Sequence, residues 1–278
     1  MATRRFSQVD VFSPDALGGN PLAVVHDGEG VPEETMAAFA RWTNLSETTF
    51  LLPPSSPEAD YRVRIFTPGE ELPFAGHPTV GSARAWLDAG GRPRTPGEVV
   101  QECRIGLVRL RLRDGGLAFA APELLRSGPV EPDLVAQALA SLGLDEAALV
   151  DAAWVDNGPG WMGLLLRDAA TVLAARPDEV AMGDLRVGII GPHPAGGPAD
   201  VEVRAFVPGV GVIEDPVTGS VNAGLARWLI GAGRMPGRYT VAQGTALRRT
   251  GRLLIETDGE TIWVGGPART LITGTVEI

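Results

Sequence analysis

An internal repeat constrains the fold of this chain more than any other feature of its sequence. VRIFTPGEELPFAGHPTVGSARAW begins at Val63, and VRAFVPGVGVIEDPVTGSVNAGLARW begins 140 residues later. Pro78 and Pro216 lie 138 residues apart. The same spacing of 138 recurs at three further pairs: Pro21 and Pro159, Gly81 and Gly219, Ser82 and Ser220. Because each copy is long enough to form a domain, the repeat predicts two similar domains about a pseudo-two-fold axis.

The pattern of apolar residues predicts short strands and a few helices in each half. Pro (23) and Gly (36) are scattered as punctuation between alternating segments, which is typical of strands joined by turns. A helix is predicted to begin at Pro78 and to end before Gly90. The expected domains are residues 1–121 and 122–267. The last segment, 268–278, is expected to return and pair with the first domain.

Composition excludes several classes of function. The formal net charge of −10 disfavours a nucleic-acid partner, and no apolar run approaches the ~20 residues that a membrane span needs. The N-terminus lacks the apolar core of a signal peptide. Cys103 is the only cysteine, and three scattered histidines give no metal-ligand spacing. A cytoplasmic protein without a membrane partner is expected.

Two predicted helix starts carry candidate functional residues. His77-Pro78 and Asp215-Pro216 occupy matching places in the 138-residue repeat, each with Pro at the first helical position. First-turn amides of a helix lack partners and carry partial positive charge, so such starts suit a carboxylate or a developing enolate. Taken alone, Asp215 is better explained as an ordinary N-cap, whereas His77 is a weaker cap and therefore argues more for function.

Glu47 is a third candidate, at the start of the apolar strand predicted within NLSETTFLLPP. A glutamate at a strand edge is usually solvated. A glutamate held partly dry can instead exchange protons near neutral pH. The spacing alone leaves both interpretations open.

Several motifs resemble those of the phenazine-biosynthesis isomerase (PhzF-like) family over nearly the whole chain. They are GGNPLAVV, LSETTFLLPP, RIFTPGEELPFAGHPTVGSA, RAFVPGVGVIEDPVTGSVNAGLARWL and the late AQG, VGGPA and ITG segments. The resemblance implies an α+β fold of the diaminopimelate-epimerase type. Each of its two pseudo-symmetric domains would be an antiparallel sheet rolled around a central helix, with the active site between them.

The resemblance also implies an activity and a set of site residues. Glu47 would be the acid/base of an isomerase that moves a proton between carbons of a small carboxylate resembling trans-2,3-dihydro-3-hydroxyanthranilate. His77, Asp215 and Ser220 would complete the catalytic set. The positions expected to bind substrate are Asn20, Gly76, Thr79 and Gly219. No cofactor and no metal are implied, and a homodimer is expected.

Two alternatives remain at this point. The chain could be an epimerase or racemase of a small amino or hydroxy acid, since such enzymes share the fold. It could also be a non-catalytic relative that binds a small anion, because a fold does not fix a function.

Overall fold

The chain is divided into two compact units in the computed structural model, which describes residues 2–113, 115–208 and 213–278. The first unit runs to Ala120 and also contains Gly265–Ile278, and the second is Ala121–Val264. These divisions fall one and three residues from the predicted boundaries at 121/122 and 267/268. Within the described residues, no helix has the length and apolar character needed to traverse a bilayer.

The first unit is built from strands around one long buried helix, with a second helix beside them. Its strands are β1 (Thr3–Val11), β2 (Asn20–Val25), β3 (Glu47–Leu52), β4 (Tyr61–Phe66), β5 (Glu71–Leu72), β6 (Glu98–Cys103), β7 (Gly106–Arg113), β8 (Gly116–Ala120) and β18 (Ala268–Glu277). Its helices are α1 (Glu33–Thr43) and α2 (Gly76–Asp88).

The second unit repeats this plan with two more short helices. Its strands are β9 (Arg126–Pro129), β10 (Leu149–Asp156), β11 (Trp161–Leu166), β12 (Arg186–Pro192), β13 (Val201–Phe206), β14 (Glu214–Asp215), β15 (Arg238–Gln243), β16 (Gly251–Thr257) and β17 (Ile262–Gly266), the last of which runs across the division. Its helices are α3 (Pro132–Ser141), α4 (Ala169–Ala174), α5 (Glu179–Met182) and α6 (Gly219–Gly231), with 3₁₀ turns at Glu146–Ala148 and Thr245–Leu247.

The predicted α+β class is confirmed, and the sheets, which were expected to be antiparallel, also contain four parallel pairings among the described residues. In the first unit β2 pairs in parallel with β3, and β4 pairs in parallel with β6. In the second unit the matching pairs, β11 with β12 and β13 with β15, are also parallel. Parallel neighbours need a crossover, and helices supply it here: α1, α2, α4 with α5, and α6 connect the four pairs in turn.

The remaining pairings are antiparallel. β1 lies between β2 and β18, so the last strand of the chain is added to the first unit at its first strand. β3 pairs with β4, and β6, β7 and β8 form a meander. In the second unit β10 lies between β9 and β11, β12 pairs with β13, and β15 pairs with β16.

The central helices α2 and α6 are buried along most of their length, because small residues let strands approach them closely. A Cβ at Gly81 of α2 would lie 2.6 Å from Leu22 Cδ2 on β2. A Cβ at Gly224 of α6 would lie 2.3 Å from the carbonyl oxygen of Val155 on β10. At Gly81 a side chain would have to displace the ends of Leu22 and Val11, whereas at Gly224 it would meet backbone, which cannot move aside. Glycine at these two positions therefore lets each helix pack closely against its sheet.

The two helices also place the repeat in a different register from the 138-residue spacing. Both helices are 13 residues long, and α6 begins 143 residues after α2. The two-residue strands β5 and β14 are likewise 143 residues apart, whereas Arg64 of β4 and Arg204 of β13 are 140 apart. The connection from β13 to β14 is thus three residues longer than the connection from β4 to β5.

This register corrects the predicted match between His77 and Asp215. His77 is the second residue of α2, and the second residue of α6 is Ser220. Asp215 lies in β14, ahead of the N-cap Thr218. Asp215 is therefore not a helix cap, and the prediction that Pro at the first helical position follows it is also wrong. The Pro, Gly and Ser residues matched at a spacing of 138 because the sequence comparison did not account for the longer connection between β13 and β14.

Candidate functional site

Three predicted site residues, Asn20, Glu47 and His77, meet in the first unit. Asn20 and Glu47 begin β2 and β3, whose parallel register sets Leu22 opposite Glu47, so both residues lie at the same end of the sheet. His77 Nε2 is 3.4 Å from Glu47 Oε2, and Asn20 Nδ2 is 3.2 Å from His77 Nδ1. The side chain of Glu47 keeps 14% of its surface exposed while that of His77 keeps 3%, so Glu47 is the member open to a ligand.

The imidazole of His77 is neutral over the physiological range of pH. Burial lowers the pKa of His77 to about 3, because a charged ring would lose its hydration. The amide nitrogen of Asn20 can only donate, so His77 Nδ1 accepts and the ring carries its proton on Nε2. That N–H lies on the side of Glu47. At 3.4 Å the approach is a close contact rather than a hydrogen bond, and it places a neutral ring beside the carboxylate without adding positive charge.

The start of α2 is stabilised by a residue of the helix itself, Thr79, and not by a capping side chain. Its N-cap is Ala75, which has no polar side chain, and Gly76 opens the helix. The Thr79 hydroxyl donates to the Ala75 carbonyl oxygen at 2.8 Å and accepts from Gln101 Nε2 at 3.0 Å. All four residues are buried. The first-turn amides are therefore not taken by a cap, which is the arrangement that accepts anions at helix starts.

Asp215, the predicted residue of the second unit, belongs to a buried hydrogen-bond network at the start of α6. Thr218 Oγ1 donates to Asp215 Oδ2 at 2.5 Å, and Gln243 Nε2 donates to Thr218 Oγ1 at 3.0 Å. Gln243 Oε1 accepts from the Thr218 amide and from Asn222 Nδ2 at 3.0 and 2.8 Å. Because Gln243 donates to the hydroxyl of Thr218, that hydroxyl turns its own proton toward the carboxylate of Asp215.

Gly219 and Ser220, the other predicted residues of the second unit, form the first two positions of α6. Thr218 makes no side-chain cap, so the first-turn amides are again left without one. Ser220 Oγ accepts a hydrogen bond from Trp161 Nε1 at 3.0 Å, and the Ser220 carbonyl accepts from Asn157 Nδ2 at 2.9 Å. Trp161 and Asn157 thereby fix the orientation of Ser220.

Each unit thus contains a cluster of polar groups with its own chemistry. The first holds a carboxylate beside a neutral histidine, which can take up and return a proton. The second holds a fixed carboxylate beside an uncapped helix start, which can bind a negative group. Among the described residues no cluster of three His, Cys, Asp or Glu side chains could hold a metal ion. Cys103 lies in β6, and burial raises the pKa of its thiol, so a thiolate is disfavoured there.

Sequence reasoning missed the glutamines and the tryptophan that organise these helix starts. Gln101 and Gln243 occupy the strands that pair in parallel with β4 and β13, and both are fully buried. They are 142 residues apart, one fewer than the 143-residue offset of the helices, so no single offset along the sequence would have matched them. The link between Trp161 and Ser220 joins residues 59 apart and leaves no local signal.

Solved structures share this two-unit fold. The PhzF-family phenazine biosynthesis protein of Bacillus anthracis superimposes with a TM-score of 0.81 at 23% identity, covering 100% of both chains. The hydroxyproline epimerase of Agrobacterium vitis does so with a TM-score of 0.59 at 15% identity, covering 99% of this chain and 91% of the epimerase. At these identities the likeness establishes the fold, which is the one expected from the sequence motifs.

Sequence comparison establishes the family. The model of the phenazine biosynthesis-like proteins matches residues 9–276, so this chain belongs to that family. The trans-2,3-dihydro-3-hydroxyanthranilate isomerase of Pseudomonas aeruginosa is 33% identical over 262 residues, which are 92% of this chain and 91% of the relative. Antisense-enhancing sequence 1 of Schizosaccharomyces pombe is 34% identical over 296 residues, 99% of each chain. Several relatives are named as isomerases, and this chain is an enzyme of that class.

Proposed function

We propose that this protein is a cofactor-independent isomerase that moves a proton between two carbons of a small unsaturated carboxylate. The observation that carries the proposal is the contact between Glu47 and His77 in the first unit. A carboxylate in contact with a neutral histidine keeps its capacity to accept a proton, because no cation competes for its charge. The name of the Pseudomonas aeruginosa relative supports a substrate of the trans-2,3-dihydro-3-hydroxyanthranilate type.

In the proposed reaction Glu47 acts first as a base and then as an acid. Its carboxylate takes the proton from one carbon, and the electrons of that C–H bond shift the neighbouring double bond. The carboxylic acid so formed returns the same proton to the carbon at the far end of the shifted system. One C–H bond breaks and one forms, so no oxidant, reductant or cofactor is consumed. The neutral ring of His77 lies beside the Glu47 carboxylate without adding positive charge.

The start of α6 is proposed to bind the carboxylate of the substrate. Its first-turn amides at Gly219 and Ser220 are uncapped and point along the helix axis with partial positive charge. Asp215, fixed by Thr218, is proposed to orient the substrate through a hydroxyl or amino group. Catalysis then depends on placement and on donors that are already in position.

Replacing Glu47 by glutamine tests the proposal. Glu47→Gln keeps the size and hydrogen-bonding shape of the side chain and removes its ability to carry the proton. We expect kcat on trans-2,3-dihydro-3-hydroxyanthranilate to fall by at least about 100-fold, the usual contribution of a general acid/base. The rate is measured by the change in ultraviolet absorbance as the conjugated system shifts.

Glu34→Gln is the matched control, since Glu34 is exposed on α1 and should leave the rate unchanged. Near wild-type turnover by Glu47→Gln would refute the proposed role of Glu47. In deuterated water, wild-type protein that exchanges the α-proton of an amino or hydroxy acid with inversion would instead identify an epimerase. Binding of the dihydroanthranilate with neither turnover nor exchange would identify a non-catalytic relative.

A further inference from the structure

A buried ion pair outside the proposed catalytic set holds the strand that carries Asp215. Arg204 of β13 donates from Nε and Nη2 to the two carboxylate oxygens of Glu214 on β14, at 2.9 and 2.7 Å. Its Nη1 donates to the carbonyl oxygens of Val172 and Ala175 at the end of α4, at 3.2 and 2.8 Å. The guanidinium therefore uses all three of its nitrogens to join α4 to β14. Both side chains of the pair are only 5% exposed.

The first unit contains an equivalent ion pair between its corresponding strands, β4 and β5. Arg64 of β4 donates from Nε and Nη2 to the two oxygens of Glu71 on β5, both at 2.7 Å. The guanidinium also lies over Phe66, with Cζ 5.0 Å from the ring centre, as Arg204 lies over Phe206 at 4.9 Å. The arrangement of arginine, glutamate and phenylalanine is thus duplicated with the fold. The copy in the first unit is more exposed, at 25% for its arginine.

Stability alone gives little reason to bury such a pair. Two charges removed from water regain little net free energy, and apolar residues of similar volume often replace a buried pair without loss. The pair does fix the orientation of the Glu214 carboxylate, because two parallel hydrogen bonds from an arginine hold a carboxylate in the plane of the guanidinium. This matters for β14, a strand of two residues in which Asp215 pairs with Ala205 and Glu214 with Phe206.

A ladder of two residues defines register weakly, and the hydrogen bonds from Thr218 and Gln243 hold Asp215 but not Glu214. A slip by one residue would turn every side chain of the strand to the opposite face, which would exchange the directions of Asp215 and Glu214. We propose that Arg204 is a positioning residue: through Glu214 it fixes the register of β14 and so directs the carboxylate of Asp215 toward the substrate. This inference rests on the proposed function, in which Asp215 contacts substrate.

The main test is a double variant that removes the ion pair while keeping the volume filled. Arg204→Met with Glu214→Leu should still fold cooperatively, because apolar replacement of the pair itself is tolerated and the cost is confined to the hydrogen bonds lost by the Val172 and Ala175 carbonyls. We expect its kcat for the isomerisation to fall about 10- to 100-fold, the effect of displacing a substrate-orienting group by about 1 Å. Loss of activity in a variant that stays fully folded at the assay temperature separates positioning from folding.

A second variant and a mutant cycle show whether the effect passes through Asp215. Arg204→Lys keeps the positive charge but cannot make the two parallel hydrogen bonds to Glu214. If Arg204 acts through Asp215, adding Arg204→Lys to Asp215→Asn should lower the rate no further than Asp215→Asn alone does. Arg64→Lys is the matched control: it breaks the same pair beside a strand that carries Leu72 instead of an acid, and should affect kcat less than 3-fold.

Amide hydrogen exchange provides a readout that needs no substrate. Arg204→Lys should raise the exchange of the peptide covering residues 213–220 and leave the peptide covering α2 unchanged. Unchanged exchange at 213–220, wild-type activity of the apolar double variant, or additive losses with Asp215→Asn would each overturn the proposal. If the wild type shows no isomerase activity, the proposed function fails, and the exchange measurement still decides whether Arg204 holds β14.

Discussion

At the scale of single residues, the state of His77 depends on its neighbours rather than on its place in the sequence. Histidine ordinarily titrates near neutral pH, and a site histidine is often assumed to exchange protons there. Here burial keeps the ring of His77 neutral, and Asn20 fixes which nitrogen carries the proton. His77 therefore lies beside Glu47 as a neutral ring of fixed orientation. The proton that moves in the proposed reaction belongs to Glu47.

This state predicts a particular dependence of stability on pH. The pKa of His77 is about 3 in the folded protein and 6.5 in the unfolded chain, so between these values the unfolded chain binds the extra proton. The contribution of neutral His77 to stability is fully present above pH 6.5 and is lost as pH falls toward 3. We expect the free energy of unfolding of the wild type to fall relative to His77→Gln by up to about 1.4 kcal/mol per pH unit.

Urea unfolding at several pH values from 7 to 4 measures this difference. Taking the difference between wild type and variant cancels the titration of all other groups, including His26, whose pKa is also lowered by burial. Curves that run parallel over this range would show that the ring of His77 is accessible to protonation in the folded state. The assignment of His77 as a neutral ring would then be wrong.

At the scale of elements, close packing of the central helices determines where the functional residues lie. Both helices begin with glycine and run through the middle of their units, and both leave their first turns without a capping side chain. Gly224 brings α6 against the backbone of β10, so the position of the first turn of α6 follows from the position of the sheet. A carbonyl oxygen cannot rotate away as a side chain can, which makes this contact rigid.

Gly224→Ala should therefore destabilise the second unit. The added Cβ would lie 2.3 Å from the Val155 carbonyl oxygen and would push the helix or the strand aside. We expect the free energy of unfolding to fall by about 1–3 kcal/mol, as for other overpacked cores. Gly231→Ala at the end of the same helix is the control, because no atom lies within 4 Å of its Cβ position. That variant should be neutral or gain less than about 1 kcal/mol from helix propensity. Equal stability of the two variants would contradict the close-packing argument.

At the scale of the whole molecule, the association of chains stays a prediction. The family resemblance implies a homodimer, and most soluble oligomers are symmetric assemblies of identical chains. Light scattering coupled to size exclusion should give a mass of about twice the 29.2 kDa of the chain at micromolar concentration. A mass near that of one chain would refute the prediction, and the isomerase activity of that single-chain fraction would show whether association matters for catalysis.

The sequence by itself determined the duplicated plan through the spacing of its Pro, Gly and Ser residues. It determined the family and the α+β class through the resemblance of its motifs to those of the phenazine biosynthesis-like proteins. It also pointed to Glu47, His77, Asp215 and Ser220 as candidates. The sequence did not identify the hydrogen-bond partners of these candidate residues. Asn20 and His77 are 57 residues apart, and Gln243 and Thr218 are 25 apart, so only folding brings these polar groups together.

Tertiary structure alone decided which positions of the two halves are equivalent. The letters matched His77 with Asp215, but hydrogen-bonded strands and buried helices match His77 with Ser220. The physical reason is that a loop can gain three residues at little cost, whereas a strand or a buried helix cannot shift without moving every side chain to a new face. Spacing along the chain therefore preserves the repeat only up to the first loop of different length. The contacts of the core keep the register, and with it the role of Asp215 as a residue held in β14 by Arg204 and Glu214.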